Sequence, residues 1–227
     1  MPRLLFSKTG NAVWFSHLDL MRVFQRSFKR AGLSLSHTQG FNPRPSVSIA
    51  LPLSVGVESL CELLDFDLDG EMPSLDEIQN RLNAALVPGV YVHKVYNDGR
   101  KLKELTHLRC NIFLEYDHGV PVDAIEKIKC LFSADTVIVS KKTKNGMQDQ
   151  NIIPMICGFD VVEEDGNTLM IDAIICCQNP TLNPAQIAAA IGTYLPDLKP
   201  DYCKYRRISL YDNSKEIFRF EITITKE

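Results

Sequence analysis

Apolar and polar positions change period several times along the chain, and each change marks an element. Arg3-Leu-Leu-Phe-Ser-Lys8 reads as a first strand, ended by Thr9-Gly10-Asn11. Beyond it Leu20, Met21, Phe24, Phe28 and Ala31 recur at helical spacing. Ser16 supplies the N-cap, Asp19 stands three residues on at the capping-box position, and Gly32 follows the last turn as a C-terminal stop. Residues 33–37 alternate like a short strand, residues 38–46 concentrate turn chemistry, and residues 47–51 resume as a strand. A further strand is predicted over 61–68. A helix opens on Ser74 with Glu77 as box partner, carries the stripe Ile78, Leu82 and Leu86, and stops at Pro88-Gly89. Residues 90–95 make a fourth strand. The order is β-α-β-β-α-β, that of the ferredoxin-like split βαβ unit.

The polar, turn-rich stretch 97–104 reads as a linker, which divides the chain into residues 1–100 and 101–227. In the second part strands are predicted at 107–116 and 136–140, with a helix between them at 122–131. A hairpin over 152–162 and 168–176 turns at Glu164-Asp165-Gly166. A helix over 184–191 opens on Asn183 with Pro184 in its first position. Strands at 209–211 and 218–225 close the chain. The fold expected is α+β, two ferredoxin-like β-α-β-β-α-β sandwiches with the second less regular. No repeated sequence links the halves, so this expectation rests on element order alone.

Composition is that of a globular protein, with 45% hydrophobic and 23% charged residues among 227. No stretch approaches the roughly 20 consecutive apolar residues of a membrane span, and MPRLLFSKTG lacks the apolar segment of a signal peptide. The seven cysteines form no CxxC pair and no even framework. Scattered, apolar-flanked thiols suit a reducing cytoplasm and read as buried structural residues. Only Cys176 and Cys177 are close in sequence, and in a strand they point to opposite faces.

Charge changes the picture more. The net −3 conceals residues 1–60 at +5, so the remainder carries −8. Such polarity speaks of partners rather than fold. Arg22, Arg26, Lys29 and Arg30 occupy the helix side opposite the apolar stripe, and the 22–26 and 26–30 pairs set like charges four residues apart. A solvated face accounts for such a run, and so does an anion-binding one. Pro43 and Pro45 stiffen Arg44 between them, and Gly40 permits a positive φ in the same loop. With Trp14, Phe15 and Phe41 nearby, these cations give the composition of a surface that contacts phosphates and stacks unpaired bases. A pI near 6 is low for a stand-alone nucleic-acid binder.

His17, Asp19 and His37 are the candidates for general acid–base chemistry or metal ligation. Asp19 already has a capping task, and no nucleophile or second carboxylate is positioned beside them. No phosphate-binding glycine loop, nucleophile elbow or HExxH pattern occurs, nor the Cx3Cx2C spacing of a radical S-adenosylmethionine cluster. No metal site and no cofactor are expected in this chain.

Residues 4–60 carry SHLDLMR, GFNP and the following PL–VG–ES run. This stretch resembles the N-terminal signature of the radical-SAM-linked domains of unknown function. The resemblance covers about a quarter of the chain. It implies a bacterial, cytoplasmic protein that works with a radical SAM protein fused to it or encoded beside it, often near RNA-processing genes. It carries over His17, Asp19, Arg22, Gly40, Phe41, Asn42 and Pro43 as motif positions. Arg44 departs from the histidine that members often have there, which weakens a metal site and keeps an anion-binding role open. The expected function is substrate recognition alongside a radical SAM protein, on RNA or a ribosome-linked substrate. A stand-alone enzyme and a protein-interaction scaffold are the alternatives.

Overall fold

The computed structural model describes residues 1–97, 100–143 and 146–213. Two compact units divide it, Met1–Leu102 and a second that begins at Lys103. Among the described residues no helix is long and apolar enough to cross a membrane.

The first unit runs β1 (Arg3–Lys8), α1 (His17–Arg30), β2 (Val47–Ile49), β3 (Val57–Phe66), α2 (Leu75–Ala85) and β4 (Val90–Tyr96). Its strands order as β4-β1-β3 with β2 on β3, every pair antiparallel. This is the ferredoxin-like arrangement. Leu4 and Phe6 of β1 meet Leu20, Phe24 and Phe28 of α1 and Ile78 and Leu82 of α2 in one core. The Phe6 and Phe24 rings cross edge to face at 4.7 Å, and Phe28 tilts on Phe66 at 5.0 Å.

Both helices of this unit begin as their capping residues dictate. The Ser16 hydroxyl oxygen accepts from the Asp19 N–H, and Ser74 accepts from that of Glu77. At the end of α1 the Gly32 N–H reaches the Lys29 carbonyl, and Leu33 N–H that of Phe28, the paired bonds of a Schellman motif. Gly32 stands at φ +65°, and a Cβ there would lie 2.8 Å from the Arg81 guanidinium. The positive φ is what favours glycine here, and an added Cβ would also push the Arg81 guanidinium aside.

The second unit runs β5 (Leu105–Glu115), α3 (Ala124–Phe132), β6 (Ile138–Thr143), β7 (Gly146–Asn151), β8 (Ile156–Asp165), β9 (Thr168–Cys176), α4 (Pro184–Tyr194) and β10 (Tyr202–Asp212). The strands order as β10-β5-β9-β8, again antiparallel, while β6 and β7 pair as a separate hairpin. With that hairpin set aside, the order is the same β-α-β-β-α-β as in the first unit. β9 alternates buried and half-buried residues along its whole length. α4 opens with a full capping box between Asn183 and Gln186, with Pro184 in its first turn.

Several boundaries differ from the periodicity. Residues 33–37 form no strand. Leu35 and His37 make isolated bridges to Leu68 and Pro45, and proline has no N–H with which to extend a ladder. Residues Gly10–Trp14 wind into a 3-10 turn where the sequence suggested only a strand end. β3 begins four residues before the predicted position, and β7 was not predicted. β10 begins at Tyr202 although only 209–211 reads as a strand. Its polar first half is stabilised by partners on β5, with Lys204 paired to Glu115 and the Arg206 guanidinium over the Phe113 ring. The predicted strand 218–225 lies outside the described residues.

Burial in the second unit has a pH consequence. Burial pushes the Cys110 thiol up from 9.0 to about 12, and the Tyr116 hydroxyl, which donates to the Leu198 carbonyl, up from 10.0 to about 12. The folded state thus holds these protons more tightly than the unfolded chain. Their contribution to stability is fully present below pH 9 and is lost as pH rises through 9–12. Urea midpoints measured at several pH values should be flat with respect to these groups at neutral pH and fall above pH 9. A Tyr116→Phe variant should show a shallower fall.

Candidate functional site

The segment that carries the distinctive residues, 14–56, is anchored at both ends by a residue outside it. Lys8 is fully buried at the end of β1. Its Nζ donates to the carbonyl oxygen of Phe15 at 3.0 Å and to that of Ser54 at 3.2 Å. The Gly56 N–H adds a bond to the Val13 carbonyl at 2.8 Å. A buried ammonium is tolerated only with such partners. Lys8 is one of the seven cations behind the +5 charge of residues 1–60, and nothing local in the sequence marks it as buried.

Between the anchors, α1 presents its cations and a pinned loop presents its tip. The loop root is closed by Thr38 N–H to the Arg44 carbonyl at 2.9 Å, Arg44 N–H to the Thr38 hydroxyl at 3.1 Å, and Ser46 N–H to the Ser36 carbonyl at 2.7 Å. Gly40, Phe41, Asn42 and Pro43 are all exposed at the tip, and the Phe41 ring touches nothing that shields it. A single exposed ring is common on protein surfaces, and here the closed loop root holds it out in solvent.

The five candidate cations sort into two groups. Arg22 pairs with Asp19 at 3.2 Å. Arg30 donates to the Ser27 hydroxyl at 3.0 Å and to the Ala85 carbonyl at 2.6 Å, capping the end of α2. Arg26, Lys29 and Arg44 are exposed. Among the described residues their side chains have no hydrogen-bond or ion-pair partner. Arg81, which the sequence did not single out, donates to the Ala31 and Gly32 carbonyls and holds the end of α1.

A cavity of about 530 Å³ opens between the C-terminal half of α1 and the loop root. Gln25, Lys29, His37 and Asp69 supply its polar groups, with Leu35 and Pro45 among its apolar walls. Apolar walls with a few polar groups, at this volume, are how small-ligand sites are built.

His17, Asp19 and His37 are not a converging group of metal-capable donors among the described residues. Among the described residues the group of three metal-capable donors that converges is a different one, His107, Cys157 and Cys176, with ligand atoms within 4.8 Å of one another. The Asp19 carboxylate accepts from the Ser16 hydroxyl at 2.6 Å. That bond, ahead of the contact with Arg22, holds it below the usual carboxylate range. It is a helix-capping group. His37 lies in the cavity wall. His17 begins α1 with its Nδ1 buried and unpartnered among the described residues. The thiols also differ from expectation, since Cys130 and Cys157 are exposed while Cys61, Cys110 and Cys177 are buried. Sequence spacing could not reveal the histidine–cysteine group, because strand pairing brings it together.

Fold and surface together define an α+β protein with a basic, loop-crowned face. Residues 2–184 match the family described as uncharacterized protein conserved in bacteria (DUF2344), and the chain belongs to that family. No curated protein matches it. Among solved structures it is similar to a chain of a Cbf5-Nop10-Gar1 complex, at 11% identity and TM-score 0.46, over 91% of this chain and 47% of that one. It is also similar to a chain of the archaeal box H/ACA sRNP Nop10-Cbf5 complex, at 10% identity and TM-score 0.43, over 91% and 46%. A third likeness is to a chain of an H/ACA RNP bound to a substrate RNA containing 2′-deoxyuridine, at 10% and 0.40, over 88% and 53%. The chain spans about half the length of these solved chains. At such scores the likeness is distant and carries no functional argument.

Replacing Lys8 by methionine removes the donor to both anchoring carbonyls. The variant should lose about 3 kcal/mol of stability in urea denaturation. The loop tip should become more susceptible to limited proteolysis. A variant as stable as the parent, with the loop equally protected, would show that the two bonds do not anchor the segment.

Proposed function

We propose that the first unit is a recognition module for single-stranded RNA, serving a radical SAM protein as its substrate-binding partner. The observation that carries the reading is that the first unit carries exposed Arg26, Lys29 and Arg44, without side-chain partners among the described residues, together with the fully exposed Phe41 on a pinned loop. Unpaired nucleic acid is bound by cations that follow its backbone and rings that stack on its bases. The cavity beside Lys29 and His37 gives one base or phosphate a place to enter. The radical SAM partner rests on the sequence resemblance, and this chain supplies recognition rather than the cluster.

An interaction scaffold is the second reading, favoured by exposed Trp14, Leu18 and Val55. On that reading the basic face docks an acidic protein surface.

Fluorescence anisotropy with single-stranded RNA at several salt concentrations tests the proposal. Affinity should fall as salt rises. Arg26→Glu and Lys29→Glu should each weaken binding and reduce the salt slope by about 1. Phe41→Ala should cost about 1–3 kcal/mol of binding with the slope unchanged, and should leave stability untouched because the ring is unburied. Absence of association near physiological salt would overturn the RNA reading. Loss of a co-purifying partner protein in the charge-reversal variants, without any RNA binding in the parent, would favour the scaffold.

A further inference from the structure

The second unit contains a constellation that the proposed RNA face does not use. His107 on β5 stands directly opposite Cys176 on β9 in the strand register. Cys157 on β8, the next strand over, falls where the β8–β9 register shifts between Ile156 and Gly158. Such a bulge places an extra residue on one strand and re-aims its side chain. The three ligand atoms lie within 4.8 Å of one another, although their residues are up to 69 positions apart in sequence.

We propose that His107, Cys157 and Cys176 form a binding site for a Zn²⁺-class ion, with the fourth coordination position open to solvent. Two thiolates and one imidazole are a donor set that zinc favours, and three protein ligands with an open position mark sites where the ion meets water or a substrate. Tetrahedral ligands about 2.0–2.3 Å from an ion stand roughly 3.5–3.8 Å apart, so from 4.8 Å the group needs to close by no more than about 1.3 Å. Cys157 is exposed, while His107 and Cys176 are half-buried, which gives the ion a route in and a partly dry seat. The Thr106 hydroxyl lies 2.8 Å from His107 Nδ1, a contact of the kind that orients a ligating imidazole. Three paired strands hold the donors. The remaining cysteines lack this arrangement: among the described residues no other group of three donors comes together.

Two thiols side by side are also poised for a disulfide, and the histidine beside them favours the ion. The site is independent of the RNA reading, and either can fail without the other.

Titration of the reduced full-length protein with Co²⁺, followed by Zn²⁺, tests the assignment. One equivalent of Co²⁺ should produce thiolate-to-metal charge-transfer absorption with tetrahedral d–d bands, and Zn²⁺ should displace it. Cys157→Ser, Cys176→Ser and His107→Ala should each weaken binding by on the order of 100-fold or more, and Thr106→Val by roughly tenfold. Cys203→Ser should change nothing. Cys157 is exposed, so its variant tests the site without disturbing the core. Absence of thiolate charge-transfer bands, or bands unchanged in Cys157→Ser, would overturn the proposal. So would a Cys157–Cys176 disulfide in protein purified under reducing conditions.

Discussion

A buried ammonium ties down both ends of the segment that forms α1 and the motif loop. Lys8 extends from the end of β1 and donates hydrogen bonds to the carbonyls of Phe15 and Ser54, near the two ends of that segment. Taking a cation out of water is costly, and main-chain carbonyls offset that cost only in well-aligned geometry. The segment between is consequently positioned from outside itself. Its own apolar residues, Leu20, Phe24, Phe28, Leu33 and Val47 among them, add their burial in the core. Phe41 stands in water at the loop tip, and among the described residues the side chains of Arg26, Lys29 and Arg44 have no hydrogen-bond or ion-pair partner.

Part of this was legible in the sequence, and the division has a physical reason. Features governed by neighbours three or four residues away came through clearly. The stripe from Leu20 to Phe28, the Ser16 and Ser74 caps, the Gly32 stop and the Asn183-Pro184 opening all recur in the structure close to where periodicity and capping chemistry put them. The element order then sufficed for the α+β, ferredoxin-like fold. Features governed by distant partners did not come through. The β6–β7 hairpin lies in a polar stretch whose Asn145-Gly146 dipeptide is a hairpin signal that went unused. β10 looks too charged for a strand until Glu115 and Phe113 are set beside it.

The charges show the same divide. Seven cations in the first 60 residues give that part its charge of +5. In the fold, Lys8 anchors backbone and Arg3 is buried against Asp65. Arg30 caps α2 and Arg22 pairs with Asp19. A sequence count therefore overstates the available positive surface by more than half. What remains is narrower and better placed, flanking one cavity and one aromatic tip. Likewise the thiols, read as inert core residues, include one pair that strand register sets beside a histidine.

Both units depart from the bare β-α-β-β-α-β plan at the same topological corner. In the first, the motif loop fills the passage from α1 to β2. In the second, the β6–β7 hairpin fills the passage from α3 to β8. Within its own unit each receiving strand has a ladder partner on one side only, β2 on β3 and β8 on β9. The chain crosses there from the helical layer to the sheet, and added length grows outward at a loop-closure cost that rises only slowly with length. This corner is thus the fold's docking port for new sequence. A peptide tag or a foreign binding loop inserted between α3 and β8 would add length where the architecture has already added it once.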